Sequence, residues 1–109
     1  MRKENRIRKN EEFVRIINER HSSANASFVL YESMKKQQEA RAGISVSKKL
    51  GDAVTRNRIK RQVREMIKAL VDFEKSPKDL IVIVRKGYLN NSFLDNQADL
   101  EKLVKKAII

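Results

Sequence analysis

Between Arg56 and Arg64 the chain reads RNRIKRQVR, five cationic side chains in nine residues, with Glu65 the first acid behind them. At about 100° per residue on a helix, Arg56, Lys60, Arg64 and Lys68 fall on one ridge, and Arg61 lies beside it. Like charges four residues apart destabilise a helix by about 0.2–0.5 kcal/mol per pair. The three pairs on this ridge therefore cost on the order of 1 kcal/mol, which folding of the isolated chain does not return. A solvated helix face usually mixes signs. Here eight Arg or Lys stand between positions 41 and 64 against Asp52 alone, a net of +7. Such a ridge suits a polyanion. Guanidinium groups take phosphate oxygens two at a time, and their placement sets register along a backbone.

Other cations fall where elements begin and end. Ser47, Lys48 and Lys49 close one strand-like run, and Arg85 and Lys86 close another. The first ten residues hold five basic groups, Arg6, Arg8 and Lys9 among them, and one acid. Two aromatics complete the pattern. Phe13 on a first helix and Tyr31 on a strand face can flank a groove. Unpaired bases stack on such rings for about 1–3 kcal/mol each, with little regard to sequence. Basic rims with aromatics between them favour single-stranded RNA over duplex DNA. The competing reading of Phe13 is a plain anchor in a small core.

Catalysis finds little support. His21 is the lone histidine and has no acid beside it in the sequence. Asp52, Asp72, Asp79, Asp95 and Asp99 are expected at helix starts and turns, where capping accounts for them. No Asp-x-Asp pair suggests a two-metal centre. Three glycines are too few for a glycine-rich phosphate loop, and the absence of cysteine excludes disulfides and thiolate metal sites. No catalytic residue and no protein metal site are expected. The basic N-terminus has no apolar run behind it, unlike a signal peptide. No window approaches the ~18 apolar residues of a membrane span. A cytoplasmic protein is the simplest reading. The net charge of +11 and pI near 10.2 point to a polyanionic partner, nucleic acid before membrane.

The 109 residues suit one domain over 1–109. Phe13, Ile16 and Ile17 predict a helix over Asn10 to Arg20, with Asn10 as its N-cap. Residues 21–27 read as a loop or a short irregular strand. SFVLYESM predicts a strand with faces Phe28/Leu30/Glu32 and Val29/Tyr31/Ser33. Lys35 to Arg41 reads as a hairpin loop leading to GISVS, with Ile44 and Val46 on one face and Ser45 and Ser47 on the other. A helix follows from Asp52 or Thr55 to Val71, with Ile59, Val63, Met66, Ile67 and Leu70 inward. LIVIV at 80–84 is the most apolar run and predicts a central strand that Gly87 ends. A last helix starts at Asn91 or Ser92 and buries Leu100, Leu103, Val104, Ala107 and Ile108. The result is an α+β two-layer sandwich, helix–strands–helix–strand–helix. Its aliphatic face carries the long helices. Its other face, Val29, Tyr31, Ser45 and Ser47, is expected to stay open.

On the residues alone two other readings stand: a general nucleic-acid module, and a protein-only nuclease. GISVSKKLGDAVTRNRIKRQVRE, Gly43 to Glu65, closely resembles the signature of the bacterial ribonuclease P protein subunit. RIRKNEEF, SANASFVLY and DLIVIVRKG resemble that family's first helix, first long strand and last strand, so the likeness covers essentially the whole chain. The resemblance implies a fold like the second domain of ribosomal protein S5, with a left-handed βαβ crossover, against the usual right-handed rule. It implies two partners, the catalytic RNA of ribonuclease P and precursor tRNA, with no obligate protein partner and no membrane. The task implied is to bind the 5′ leader of precursor tRNA while the RNA cleaves it. The Mg²⁺ used would be held mainly by RNA, and the protein alone would not cleave. By the resemblance, the leader groove comprises Phe13, Val29, Tyr31, Ser47, Lys48 and Lys49, rimmed by Arg56, Lys60 and Arg64. The RNA subunit would meet Arg56, Asn57, Arg58, Lys60, Arg61 and Arg64. Further basic contacts would come from Arg6, Arg8, Lys9, Arg85 and Lys86. Three positions depart from the family pattern. Ile17 replaces a second aromatic, Ala26 replaces a basic residue, and Asp52 stands where Asn is usual.

Overall fold

In a computed structural model of the chain, described over residues 1–108, seven main elements follow the sequence. They are α1 (Asn10–Asn18), β1 (Ser22–Ala24), β2 (Phe28–Met34), β3 (Ala42–Ser45), α2 (Ala53–Leu70), β4 (Lys78–Val84) and α3 (Phe93–Ile108). Ile109, the last residue of the expected domain, lies outside the described residues.

The strands form one sheet in the order β1-β2-β4-β3. LIVIV is central, as its composition requires. A strand apolar on both faces must be covered on both. Leu80, Val82 and Val84 face one side, Ile81 the other, and all four are buried. β2 runs antiparallel to β4 and β3 runs parallel to it. The connection from 35 to 41 is therefore not the expected hairpin loop. β4 lies between β2 and β3, and the segment crosses past its start, tied by Arg41 N donating to Asp79 Oδ1 at 2.8 Å and Ala40 N donating to the Phe73 carbonyl at 2.8 Å. Asp79 is thus no cap. It is fully buried in β4, accepting from Gln37 and Arg41.

α2 and α3 lie on the face of Phe28, Leu30, Leu80 and Val82, and together with Ile59, Val63, Met66, Ile67, Leu100 and Val104 they make the main core. Phe28 meets Tyr88 edge-on at 5.6 Å between ring centroids. Tyr88 Oη donates to Gln62 Oε1 at 2.7 Å. Burial pushes its hydroxyl up to about 12, against the opposing charge of Arg58. α1 packs on the second sheet face, where Ile16, Ile7 and Ile81 form a smaller cluster with Phe13, Tyr31 and Ile83. That face is therefore half covered. Phe13 and Tyr31 are partly buried there instead of standing free.

The helix ends follow their caps. Asn10 is the first residue of α1, and Lys9 before it makes no side-chain cap. α1 stops at Asn18, two residues early, because Arg20 turns to φ 62°. Ser92 Oγ accepts from Asp95 N at 3.1 Å and starts α3. β4 ends at Val84, before Gly87, in a turn from Lys86 to Asn90. Asp52 Oδ1 accepts from Thr55 N at 2.8 Å and caps α2. The Thr55 amide, then the Thr55 hydroxyl, hold the Asp52 carboxyl below its ordinary value of 3.8.

A depressed folded-state pKa sets the sign of one prediction. The Asp52 cap contributes fully above about pH 4 and is lost as acid titrates the carboxyl through its lowered pKa. Melting curves across the acid range should show Asp52→Ala destabilised near neutrality, with the gap to the parent closing in acid. Asp52→Asn should cap as well as the parent and lack that acid-dependent loss. Parallel curves for all three proteins would remove the cap from the account.

Candidate nucleic-acid interface

Parallel pairing places the cations. Because β3 and β4 point the same way, Ser47–Lys49 and Arg85–Lys86 leave the sheet at the same edge. α2 starts at that edge, so Arg56 and Arg58 are there too, and Arg64 lies two turns back towards the start of β3. Gly51 makes the turn into α2 at φ 146°, a conformation that side chains rarely adopt. Its carbonyl accepts from Arg56 Nε at 3.2 Å, which fixes the stem of that guanidinium and leaves its terminal nitrogens free. Arg85 is held likewise, with Nη1 donating to the Asn25 carbonyl at 2.8 Å. Ser47 has a local task as well. Its Oγ accepts from Lys49 N at 3.2 Å and caps the short turn that carries Lys48 and Lys49.

The segment before α1 was not legible as part of the sheet. Ile7 N donates to the Ala42 carbonyl at 2.9 Å, and Arg6 bridges Ala42 in parallel, so the segment covers the β3 edge. This brings Arg6 and Arg8 against α2. With Arg64 they line a small cavity of about 100 Å³ over Ala42, Gly43 and Ile44. Burial, then the charges of Arg6 and Arg8, all lower the pKa of Arg64. An arginine stays charged regardless, so the three cations repel one another without relief. The cavity continues into a groove of about 260 Å³ lined by Arg8, Asn10, Phe13, Ile44, Ser45 and Lys60. Phe13 closes its sheet side. A methyl on Gly43 would lie 2.6 Å from Phe13 Cζ, so the ring needs glycine beneath it.

The open part of the second sheet face is narrower than expected. Register aligns Ala24, Val29, Ile83 and Ser45 in one row across all four strands. Ala24 is exposed and the other three are half-buried, Ile83 against the edge of the cluster that α1 covers. Tyr31, paired with Ile81, and Phe13 border this strip.

Ion pairing divides the cations in two. Among the described residues Arg2, Arg15, Arg41, Lys78 and Lys105 take every ion pair. None of the sequence-predicted cations is among them: Arg6, Arg8, Lys9, Lys48, Lys49, Arg56, Arg58, Lys60, Arg61, Arg64, Arg85 and Lys86. Arg41, counted with the basic stretch, leaves it, since its guanidinium bridges Glu12 and buried Asp79 and ties α1 to the sheet. Arg6, Arg8, Lys60 and Arg64 come together with Phe13. Lys48 and Lys49 sit at the adjoining edge. Asn57 and Arg61 face outward, and Arg58 faces the far flank of α2. His21 is exposed, in a mixed-charge depression beside Glu19 and the Lys78–Glu32 pair, away from this groove. Among the described residues no cluster of His, Cys, Asp and Glu is arranged to hold a metal, and no helix is long and apolar enough to cross a membrane.

The comparisons agree on one family. The profile of the family described as Ribonuclease P matches residues 1–108. The chain is 44% identical over 107 residues to the ribonuclease P protein component of Bacillus velezensis, covering 97% of this chain and 91% of that one. It is 47% identical over 102 residues to the corresponding protein of Mesoplasma florum, with 90% of each covered. The solved RNase P protein of Staphylococcus aureus superposes with a TM-score of 0.82 at 43% identity, over 96% of this chain and 98% of that one. That of Thermotoga maritima gives 0.79 at 30% identity, over 93% and 96%. The fold, the order of the elements and the match over nearly every residue make this chain a member of the ribonuclease P protein family.

Proposed function

We propose that the protein binds the catalytic RNA of ribonuclease P and the 5′ leader of precursor tRNA, and so assists Mg²⁺-dependent removal of that leader. The observation that carries this reading is the cavity and adjoining groove in which Arg6, Arg8, Lys60 and Arg64 converge near Phe13, none of them in an ion pair among the described residues. A folded protein keeps such a cluster when its counter-charge is on another molecule. A single strand fits better than a duplex. The row of Val29, Ile83 and Ser45 is half-buried and half-apolar, with Tyr31 and Phe13 along its border for bases to stack on. Lys48, Lys49, Arg56 and Lys60 rim it for the phosphates. Asn57 and Arg61, on the outer face of α2, remain for the RNA subunit. The Mg²⁺ is the RNA's to hold in this reading. The chain's residues bind, orient and neutralise, and none moves a proton. The site of action is the cytoplasm.

Cleavage of a 5′-extended precursor tRNA tests the whole reading. It should be run at low Mg²⁺ and moderate salt with protein alone, a bacterial ribonuclease P RNA alone, and both. Strong stimulation only in the mixture, with the cut at the mature 5′ end, is expected. Cleavage by protein alone would make the chain an enzyme, and no stimulation would leave a general RNA-binding domain.

Two variants resolve the parts. With about five phosphate contacts on a single strand, log K should fall against log salt with a slope near −3.5. Lys60→Ala and Arg64→Ala should each weaken RNA binding and flatten that slope by about 0.7 while leaving the fold intact. A slope near zero in the parent would end the electrostatic account. Tyr31→Ala should lose roughly tenfold in affinity for precursor tRNA and little for mature tRNA. Tyr31→Phe should keep the parent's affinity. Equal binding of precursor by parent and Tyr31→Ala would refute stacking.

A further inference from the structure

Arg56 and Arg58 stand about 200° apart round α2, so one phosphate cannot take both. Arg56 shares its ridge with Lys60 and Arg64. Arg58 points to the opposite flank, where it faces the Lys86–Asn90 turn and the start of α3. There Arg58, Gln62, Tyr88, Leu89, Asn91 and Phe93 line a depression of about 300 Å³, separate from the groove described above.

Its surface is unusual for a face so basic. Leu89 is 48% exposed and Phe93 38% exposed. Val54, four residues before Arg58 on the same flank of α2, is 77% exposed. Arg58 has no ion pair among the described residues. Arg85 and Lys86, on the turn that carries Leu89, have none either.

The polar groups of the depression are half used, and their used halves are anchored. Gln62 Oε1 accepts from Tyr88 Oη at 2.7 Å, so its amide nitrogen is the end left without a partner among the described residues. Asn91 Nδ2 donates to Ser27 Oγ at 3.2 Å and is 3.4 Å from Asn96 Oδ1, both on buried residues. The Asn91 side-chain carbonyl is then the unpartnered end. One donor and one acceptor are thus held in fixed directions beside Leu89, Phe93 and the Arg58 guanidinium.

We infer that this depression takes one unstacked nucleotide of the RNA, with its phosphate on Arg58, its base against Phe93 and Leu89, and its edge at the Gln62 amide and the Asn91 carbonyl. The inference rests on the RNA-binding reading above and adds to it a second contact on the far flank of α2. Charge selects the occupant. The surrounding cations need an anion, the exposed parts of Phe93 and Leu89 offer a surface to a ring, the rest of the lining is polar, and a nucleotide carries all three kinds of partner. The volume is at the small end of ligand sites.

The test uses the intact protein and transcribed ribonuclease P RNA. Phe93→Ala should weaken binding roughly tenfold or more and leave the salt slope unchanged. Arg58→Ala should weaken it and flatten the slope by about 0.7 to 0.9. Leu94→Ala, 74% exposed and outside the depression, should match the parent. The chain has no tryptophan, so Phe93→Trp gives a single reporter whose emission should be quenched on saturation with RNA, even if Phe93→Ala fails to fold. Parent-like binding by Phe93→Ala, with tryptophan emission unchanged in the complex, would overturn the nucleotide site and leave the RNA-binding reading standing. A parent that does not bind RNA would overturn both. Self-association in sedimentation that Phe93→Ala abolishes, with RNA binding intact, would assign the patch to a second copy of the chain instead.

Discussion

The parallel pairing of β3 with β4 is the constraint on which the interface depends. Two parallel neighbours need a crossover, and α2 provides it. The crossover brings the C-terminal ends of both strands and the N-terminus of α2 to a single edge. Lys48, Lys49, Arg56, Arg58, Arg85 and Lys86 are scattered over nearly forty residues of sequence, yet that one topological fact collects them. An antiparallel β3 would send Ser47–Lys49 to the opposite end of the sheet. The basic field would then be split and the floor of the groove would lose its rim.

Charge is sorted by the same architecture. The cations that pair within the chain do structural work: Arg41 joins α1 to β4 through Glu12 and Asp79, and Lys78 joins β4 to β2 through Glu32. The cations around α2 have no such partners among the described residues. The chain is not short of acids, since fourteen are available. Only Asp52 and Glu65 lie on α2 or at its start, and neither forms an ion pair among the described residues. Segregation of this kind costs self-repulsion in the free protein. It creates a surface potential that speeds encounter with RNA and weakens with salt.

Much of this was legible because local rules govern it. The unbroken apolar run of β4, the Asp52 cap, the inward stripes of α2 and α3 and the four-residue ridge of cations are all set by residues within a turn or two of one another. What was not legible is set at long range. The exchange of neighbours that puts β4 between β2 and β3 leaves no trace in either strand's own alternation. Asp79 looked like a turn residue because its partner, Arg41, is 38 positions away. Arg6 and Ile7 have no strand pattern. They join the sheet only because the β3 edge is free beside them. Phe13 shows both limits at once: its role as an anchor and its place at the groove follow from Gly43, thirty residues on, and from nothing near it.

The accounting of α2 closes the argument about partners. One side of the helix, Ile59, Val63, Met66 and Ile67, is buried in the main core. The flank with Arg56, Lys60 and Arg64 faces the groove, the outer face carries Asn57, Arg61, Glu65 and Lys68, and the remaining flank carries Arg58 and Gln62. The apolar stripe of the helix lies in the core, and the exposed Val54 alone is too little for insertion into a membrane surface. On its outward sides the cations outnumber the one acid among them, Glu65, where an ordinary solvated helix balances the signs. Apart from the core, each flank of the helix carries at least one cation. A helix built this way suits a polyanion on more than one of its sides.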